Sequence, residues 1–201
     1  MTIALIDYGA GNLRSVHNAL VAAGAEGVVV TADPDIVAKA DRIVLPGVGA
    51  FAACMSGLSA IDGLIDAMDR RVRGEGAPFL GICVGMQLLA DAGEEHGRHA
   101  GLGWIAGTVR AFDPAPGLRI PHIGWNDVVP THRHPVIAPG EAYYLHSYHF
   151  AAAVDGAATS EHGGVFTAAV AKDTIVGVQY HPEKSQAYGL ATLERFLNWR
   201  P

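Results

Sequence analysis

The chain has 201 residues, a formal net charge of −6 and a sequence pI near 5.9, and 50% of its residues are hydrophobic. These values predict one compact domain over residues 1–201 with a sizeable core. They argue against binding to nucleic acid or to an anionic membrane surface by charge, and no apolar run approaches the roughly 18 residues of a membrane helix.

The two cysteines and the N-terminal segment indicate the cellular compartment in which we expect the protein. Cys54 and Cys83 are the two cysteines, too few for a disulfide framework. The N-terminal segment has no basic region before its apolar run, so we expect no signal peptide. A cytoplasmic protein with reduced thiols is the resulting expectation.

The first half of the chain alternates apolar strands with helices. Strands are predicted at "TIALI", "GVVV", "RIVLP" and "PFLGI", starting at residues 2, 27, 42 and 78. Helices are predicted at about 13–23, from Asp33 and Pro34 as N-cap and first helical residue, and up to about residue 73, weakened by Gly57 and Gly63. This alternation predicts βαβ units and a mostly parallel sheet flanked by helices.

The second half has a different pattern. "WIAGTVRAF", "IPHIGWNDVV", "YYLHSYHF", "VFTAAVA" and "IVGVQY" are strand-like and separated by turn residues. They predict antiparallel additions to the same sheet, followed by one amphipathic helix at about 187–199. The fold class expected is therefore α/β, and ligands of such sheets bind beyond the carboxyl ends of the strands.

A lone cysteine stands at one of these strand ends. Gly81, Cys83 and Gly85 have the spacing of a nucleophile elbow, in which a nucleophile replaces the serine of G-x-S-x-G on a sharp strand-to-helix turn. The following helix would direct its N-terminus at the sulfur and favour thiolate, and the backbone N–H of Val84 would face a developing oxyanion. A buried packing cysteine between helix-packing glycines explains the pentapeptide about equally well.

The segment "VGVQYHPEKS" offers partners for this cysteine. His181 and Glu183 follow an apolar strand, and Pro182 favours extended geometry at His181. A nucleophilic cysteine needs a base, and the base needs an orienting group. Alone this motif also fits a surface histidine with a capping acid, but with the elbow it predicts a Cys83–His181–Glu183 triad.

The remaining candidates point to structural roles. His96 with His99, and His132 with His134, lack a nearby cysteine or carboxylate array, so we expect no metal and no cofactor. His122, His146 and His149 lie in strand-like segments, where hydrogen-bonded or substrate-lining histidines are common. Cys54 lies among alanines in a predicted helix and is typical of packing.

Several motifs together resemble a known family. "LPGVGAF", "GICVGMQLL" and "QYHPEKS" resemble those of class I glutamine amidotransferases. "DYGAGNLRSV", "IPHIGWN" and "LHSYHF" are similar, more narrowly, to glutaminase subunits of imidazole glycerol phosphate synthases in histidine biosynthesis. The matches span nearly the whole chain in family order, and no catalytic position departs from the pattern.

The resemblance implies roles for particular residues. Cys83 would attack the side-chain amide of glutamine, with His181 and Glu183 completing the triad. Its oxyanion hole would comprise Gly47, Val48, Gly49 and Val84, its glutamine-binding residues Gln87, Ser147 and Tyr148, and its partner interface Asn12, Trp125 and Lys184. The implied partner is a (β/α)₈-barrel cyclase subunit that consumes the ammonia in a heterodimer.

Other functions stay open at this point. The glutaminase of pyridoxal phosphate synthase has a similar elbow and triad, although "DYGAGN" and "IGWN" argue against it. A cysteine peptidase of related fold would not need Gln87 or "HSYHF". A binding module without catalysis would have no need for the complete Cys–His–Glu set.

Overall fold

The computed structural model describes residues 1–151 and 153–201. Its strands, numbered β1 to β13, are Ile3–Ile6, Val28–Thr31, Arg42–Gly47, Phe79–Cys83, Ala92–Gly93, His99–Ala100, Thr108–Ala111, His122–Pro130, Gly140–His146, Tyr148–Ala151, Gly156–Glu161, Val165–Lys172 and Ile175–Val178. Its α-helices, numbered α1 to α6, are Leu13–Ala22, Pro34–Val37, Phe51–Ser59, Leu64–Asp69, Val84–Gln87 and Gln186–Asn198. A π-helical turn covers Arg70–Gly74 and a 3₁₀ turn covers Pro182–Lys184.

A nine-stranded sheet forms the centre of the molecule, in the order β2-β1-β3-β4-β13-β12-β11-β8-β9. The first five strands of this order are parallel, and the next four join in antiparallel pairs. Strands β1, β3, β4 and β13 are buried along their whole length, as continuous apolar runs predict. The predicted α/β class with a parallel sheet and antiparallel additions is confirmed.

The register of the parallel strands fixes where a site can form. Gly47 at the end of β3 pairs with Cys83 at the end of β4, and β13 runs parallel on the other side of β4. The carboxyl ends of three neighbouring strands therefore meet at one edge of the sheet. The segments that follow them are the loop after Gly47, helix α5 and the "QYHPE" segment.

Some predicted elements are divided in the structure. The predicted helix up to residue 73 is two helices, α3 and α4, separated at Gly63, which has φ +74°. The predicted strand "YYLHSYHF" is also two, because β9 ends at His146 and β10 starts at Tyr148 in a second sheet of four strands, β10-β7-β5-β6. The start of α2 is as predicted, since the Asp33 carboxylate accepts a hydrogen bond from the Asp35 N–H (2.8 Å) and Pro34 opens the helix.

Among the described residues, no single helix is long and apolar enough to cross a membrane. The helical segments Phe51–Ser59 and Leu64–Gly74 together have the length and composition of a span, but they meet at an angle of 93°.

Candidate active site

Cys83 sits on a strained turn between β4 and α5. Its φ of 54° and ψ of −113° lie outside the regions that non-glycine residues usually occupy. A Cβ on Gly81 would lie 2.7 Å from the Gly85 carbonyl oxygen, and a Cβ on Gly85 would collide with the Leu45 carbonyl oxygen. Gly81 is therefore required by the close packing of β4 against α5, and Gly85 by the close packing of α5 against β3. The turn between them holds Cys83 at the edge of the sheet.

Helix α5, which follows Cys83, is short. The apolar run continues to Leu89, but α5 covers only Val84–Gln87. A four-residue helix has little macrodipole. Its first N–H groups, that of Val84 among them, still lack acceptors within the helix, so the local effect on a negative charge at Cys83 comes from individual peptide groups.

His181 and Glu183 are held together beside Cys83. His181 Nδ1 lies 2.8 Å from Glu183 Oε1, and the two side chains are 3% and 2% exposed. His181 and Cys83 line the same cavity, and Cys83 is one of the groups that raise the pKa of His181. The backbone of His181 is fixed as well, because its N–H donates to the Tyr143 carbonyl (2.9 Å) and its carbonyl accepts from Ser185 Oγ (2.7 Å).

The charge state of His181 follows from these contacts. Burial alone lowers the pKa of an imidazole, but hydrogen bonds and charges from Cys83 and Glu183 outweigh that effect and raise the pKa of His181 to about 10. The geometry thus favours an imidazolium between two potential anions. Such a group can donate a proton to a leaving group and, once it has lost the proton, accept one from water.

A cavity of about 270 Å³ opens beside the Cys83 sulfur. The predicted site residues that line it are Val48, Gly49, Cys83, Val84, Gln87, Ser147, Tyr148, His181 and Lys184. Two predicted residues are buried behind the wall: Gly47 packs against α5, where a Cβ would lie 2.6 Å from the Gly85 nitrogen, and Glu183 lies behind His181. Asn12 and Trp125 do not line the cavity.

Sequence reasoning missed two polar residues of this site. Glu95 lines the cavity, and its Oε2 accepts from the Phe51 N–H (2.7 Å). Gln179 is fully buried, and its Nε2 lies 3.7 Å from Cys83 Sγ. Nothing local singles out Glu95. Gln179 stands two residues before His181 at the end of the strand-like run "IVGVQY", and alternation along a strand predicts that both side chains point to the same side.

The loop after β3 has unusual freedom at one position. Gly49 has φ +108°, and a Cβ there would meet no atom within 4 Å. Its neighbour Val48 is exposed. Two side-chain contacts hold the rest of the loop in place. Cys54 Sγ lies 3.5 Å from the Val48 carbonyl oxygen, and Tyr8 Oη donates to the Pro46 carbonyl (2.8 Å).

Comparison with known proteins places this geometry in a family. Residues 4–198 match the model of glutamine amidotransferase class-I. The chain is 59% identical to the imidazole glycerol phosphate synthase subunit HisH of Zymomonas mobilis, covering 100% of this chain and 97% of the relative, and 52% identical to that of Rhodospirillum rubrum, covering 100% of both. The chain belongs to the class I glutamine amidotransferases, among their HisH subunits. The resemblance seen in the sequence is confirmed.

Solved structures agree with the fold of a class I glutamine amidotransferase. A crystal structure of a glutamine amidotransferase superposes with a TM-score of 0.74 at 18% identity, covering 98% of each chain. PurLQS from Thermotoga maritima gives a TM-score of 0.70 at 18% identity, covering 98% of this chain and 97% of that one. At such identities the likeness concerns the fold alone.

The predicted interface residues of this amidotransferase lie on its surface. Trp125 is 47% exposed on β8, where its ring meets Tyr143 edge-on. Lys184 is exposed at the cavity wall. Asn12 is exposed at the start of α1, where its Oδ1 accepts from the Ser15 N–H (3.3 Å). That cap is a structural task that Asn12 performs independently of any interface.

A histidine pair lies buried beside the cavity. His122 Nδ1 and His146 Nε2 are 3.1 Å apart, His146 Nδ1 donates to the Tyr148 carbonyl (2.9 Å), and the Asn126 amide nitrogen lies 3.2 Å from His122 Nε2. Burial lowers the pKa of His122 to about 4 and that of His146 to about 3. Both rings are therefore neutral.

Within the described residues, no group of three or more His, Cys, Asp or Glu is arranged to hold a metal ion.

Proposed function

We propose that this chain hydrolyses glutamine to glutamate and ammonia as the glutaminase subunit of an imidazole glycerol phosphate synthase, and delivers the ammonia to a cyclase partner in histidine biosynthesis. The observation that carries the proposal is the arrangement of the site, in a chain 59% identical to a HisH subunit over its full length: Cys83 and His181 line one cavity, and His181 is hydrogen-bonded to Glu183.

The proposed reaction assigns one step to each triad residue. Cys83 attacks the side-chain amide carbon of glutamine, and His181 gives its proton to the departing ammonia, leaving a glutamyl thioester. Water that has lost a proton to His181 then releases glutamate. Glu183 keeps the imidazole oriented through the 2.8 Å hydrogen bond.

Substrate binding draws on the polar groups of the cavity wall. We assign Gln87 to glutamine binding, and Ser147 and Tyr148 to the amino-acid end of the substrate. Glu95 adds a carboxylate to the same cavity, which complements the ammonium group of an amino acid. The volume of about 270 Å³ is smaller than the roughly 300–1,000 Å³ of sites for drug-sized ligands, as suits an amino acid.

The oxyanion of the tetrahedral intermediate would be held by backbone N–H groups from Val84 and from the loop of Gly47, Val48 and Gly49. We propose that this loop is a switch, in which partner and nucleotide binding rotate a peptide and supply the second donor. The unobstructed Gly49 at φ +108° permits such a rotation at little cost. One missing donor costs on the order of 10²–10³ in rate, so the free subunit should be a poor glutaminase.

The proposed partner is a (β/α)₈-barrel cyclase subunit in a cytoplasmic heterodimer, which makes imidazole glycerol phosphate and an aminoimidazole carboxamide ribotide. Its docking surface would be the apolar rim of the cavity. There Val48 and Leu145 line the cavity and are 44% and 38% exposed, and Ile123 and Trp125 on β8 are 58% and 47% exposed. Lys184 adds a charge to this rim. The same rim contains "IGWN", which distinguishes this family from pyridoxal phosphate synthase glutaminases.

The proposal is tested by measuring glutamate release by the chain alone, with a barrel cyclase, and with the cyclase and its nucleotide ligand. We expect release to rise at each step. Cys83→Ala should abolish synthesis from glutamine and leave synthesis from ammonium salts in the complex. Parallel loss of ammonia-dependent synthesis in an intact complex would contradict the division of labour, and undiminished activation of Gly49→Ala would contradict the switch.

A further inference from the structure

Gln179 is a buried polar residue directly beside the reactive sulfur. It follows β13 at the same sheet edge as Cys83 and is fully buried. Its side-chain Nε2 lies 3.7 Å from Cys83 Sγ. The mechanism given above assigns it no task.

The orientation of the Gln179 amide is fixed by a second glutamine. Gln87 Nε2 lies 2.9 Å from the Tyr148 carbonyl oxygen, which can only accept, so the amide nitrogen of Gln87 is placed there. The same nitrogen lies 3.0 Å from Gln179 Oε1. Because Gln179 must accept at that oxygen, its NH₂ group faces the sulfur as a donor.

The structure assigns to Gln179 a catalytic role in the proposed glutaminase: its amide donates a hydrogen bond to the Cys83 sulfur and stabilises the thiolate. The inference rests on the proposed function. A hydrogen bond to an anion is roughly twice as strong as one between neutral groups, so the contact favours thiolate over thiol. His181 lines the same cavity as Cys83, so the thiolate has an imidazolium and an amide as neighbours.

The same contact acts when the thioester is hydrolysed. Water forms the new C–O bond and loses its proton to His181. The C–S bond then breaks and its electron pair goes to the sulfur, so the thiolate is the leaving group. The amide proton of Gln179 remains on its nitrogen throughout and stabilises the charge that develops on sulfur.

The series of hydrogen bonds from Tyr148 through Gln87 to Gln179 also links substrate binding to the nucleophile. Tyr148 and Gln87 belong to the proposed glutamine-binding wall, and their hydrogen bonds set the amide of Gln179. A structural role, in which Gln179 only supports Gln87, makes a different prediction: the affinity for glutamine would change and the thiolate would not.

The test measures how readily Cys83 forms a thiolate when no glutamine is present. Alkylation of Cys83 by iodoacetamide is followed against pH on the Cys83-containing peptide, for wild type, Gln179→Leu and Gln179→Glu. Leucine removes the donor, and an ionised glutamate places acceptors and a charge at the sulfur. We expect the midpoint of the pH–rate curve to rise by about one pH unit for Gln179→Leu, the size expected for one hydrogen bond to a charged group, and further for Gln179→Glu.

Gln186→Leu serves as the matched control, because Gln186 is exposed at the start of α6, and its midpoint should equal that of wild type. If Gln179→Leu does not fold, Gln179→Asn takes its place, since it keeps an amide and draws it back by one methylene. Unchanged midpoints in the folded Gln179 variants would overturn the inference.

A second measurement separates this inference from the proposed function. In the complex, acid-quenched reactions with labelled glutamine should show more thioester in Gln179→Leu than in wild type, because expulsion of the thiolate is slowed. A loss that appears wholly in KM would overturn the role of Gln179. Absence of glutaminase activity in a wild-type complex whose Cys83 alkylates normally would instead overturn the proposed function.

Discussion

His181 and the His122–His146 pair are buried to nearly the same extent, at 2%, 5% and 6% exposure, yet their proton affinities move in opposite directions. The pKa of His181 is raised to about 10, while those of His122 and His146 are lowered to about 4 and 3. The neighbours explain this difference. Cys83 and Glu183 face His181, whereas the pair is surrounded by aromatic rings, an amide and another histidine, His162.

The comparison shows what burial does by itself. Desolvation lowers the pKa of all three imidazoles, and a neutral environment leaves that effect uncorrected. In the pair, the Asn126 amide donates at one end and the Tyr148 carbonyl accepts at the other, so both rings carry their hydrogen on Nδ1. The pair is thus a fixed support for Tyr148, and a proton-transferring histidine requires anionic partners.

Of the changes considered, replacing His181 should have the largest effect on glutaminase activity. We expect His181→Asn to lower glutaminase kcat in the complex by at least about 10³-fold, nearly as much as Cys83→Ala, because nucleophile and base act as a unit. Steady-state glutamate release measures the loss. A rate close to wild type would exclude His181 as the base.

Removing one of the charges beside His181 should have a smaller effect. Glu183→Gln keeps the shape and loses the carboxylate, so the imidazole is held less firmly and its pKa falls. We expect a loss roughly 10- to 100-fold milder than that of His181→Asn, as for orienting acids in other triads. Glutaminase rates of the two variants in the same complex measure the difference, and an equal loss would mean that Glu183 does more than orient.

The neutral His122–His146 pair should affect how the stability of the protein depends on pH. A histidine whose pKa is lowered on folding contributes stability above its unfolded pKa of about 6.5, and that contribution is lost as the pH falls toward its folded value. We expect His122→Asn to reduce the slope of unfolding free energy against pH, between about pH 6 and 4, by about 1.4 kcal/mol per pH unit. Urea unfolding at a series of pH values measures it.

The sign is reversed for His181. Its contribution is present below about pH 6.5 and is lost as the pH rises toward 10. His122→Asn should therefore leave the alkaline limb of the stability curve unchanged. An unchanged acid limb would mean that the pair is protonated in the folded protein.

The smallest effect is expected at the surface. Lys184→Ala should weaken partner affinity or activation by up to about 1 kcal/mol, the size of an exposed ion pair, without changing the fold. Titration of the chain with the cyclase measures it. Lys172→Ala is the matched control, since Lys172 is exposed at the end of β12, and equal results for the two lysines would remove Lys184 from the interface.

The sequence predicted those features whose signals are local. The elbow, the HPE segment and the buried parallel strands each follow from a few adjacent residues. Gly57 and Gly63 look alike in the sequence but act differently. Gly63 separates α3 from α4, whereas Gly57 lies within α3. The Tyr8 carbonyl oxygen approaches Gly57 so closely that it would lie 2.7 Å from a Cβ at this position. This contact depends on Tyr8, which follows β1 and is about 50 residues away in the sequence, so no local pattern predicts it.

The same reason explains what was missed in the site. The division of "YYLHSYHF" between two sheets depends on β7, which pairs with β10 through Phe150 and Val109. Gln179 acquires its place beside Cys83 from the register of β4 and β13. The roles of the triad, the oxyanion loop and the interface residues remain predictions.

The packing of Gly85 against the Leu45 carbonyl and of Gly81 against Gly85 has a consequence for how this enzyme can change over generations. A side chain at position 81 would clash with the backbone of α5 and one at position 85 with β3, so we expect substitution of either glycine to disrupt the turn. Cys83 lies between them at the cavity, where its own φ of 54° still restricts which residues fit. We expect deep mutational scanning for folded protein to tolerate more residues at 83 than at 81 or 85, so descendants can exchange the side chain at 83 while inheriting the turn that presents it.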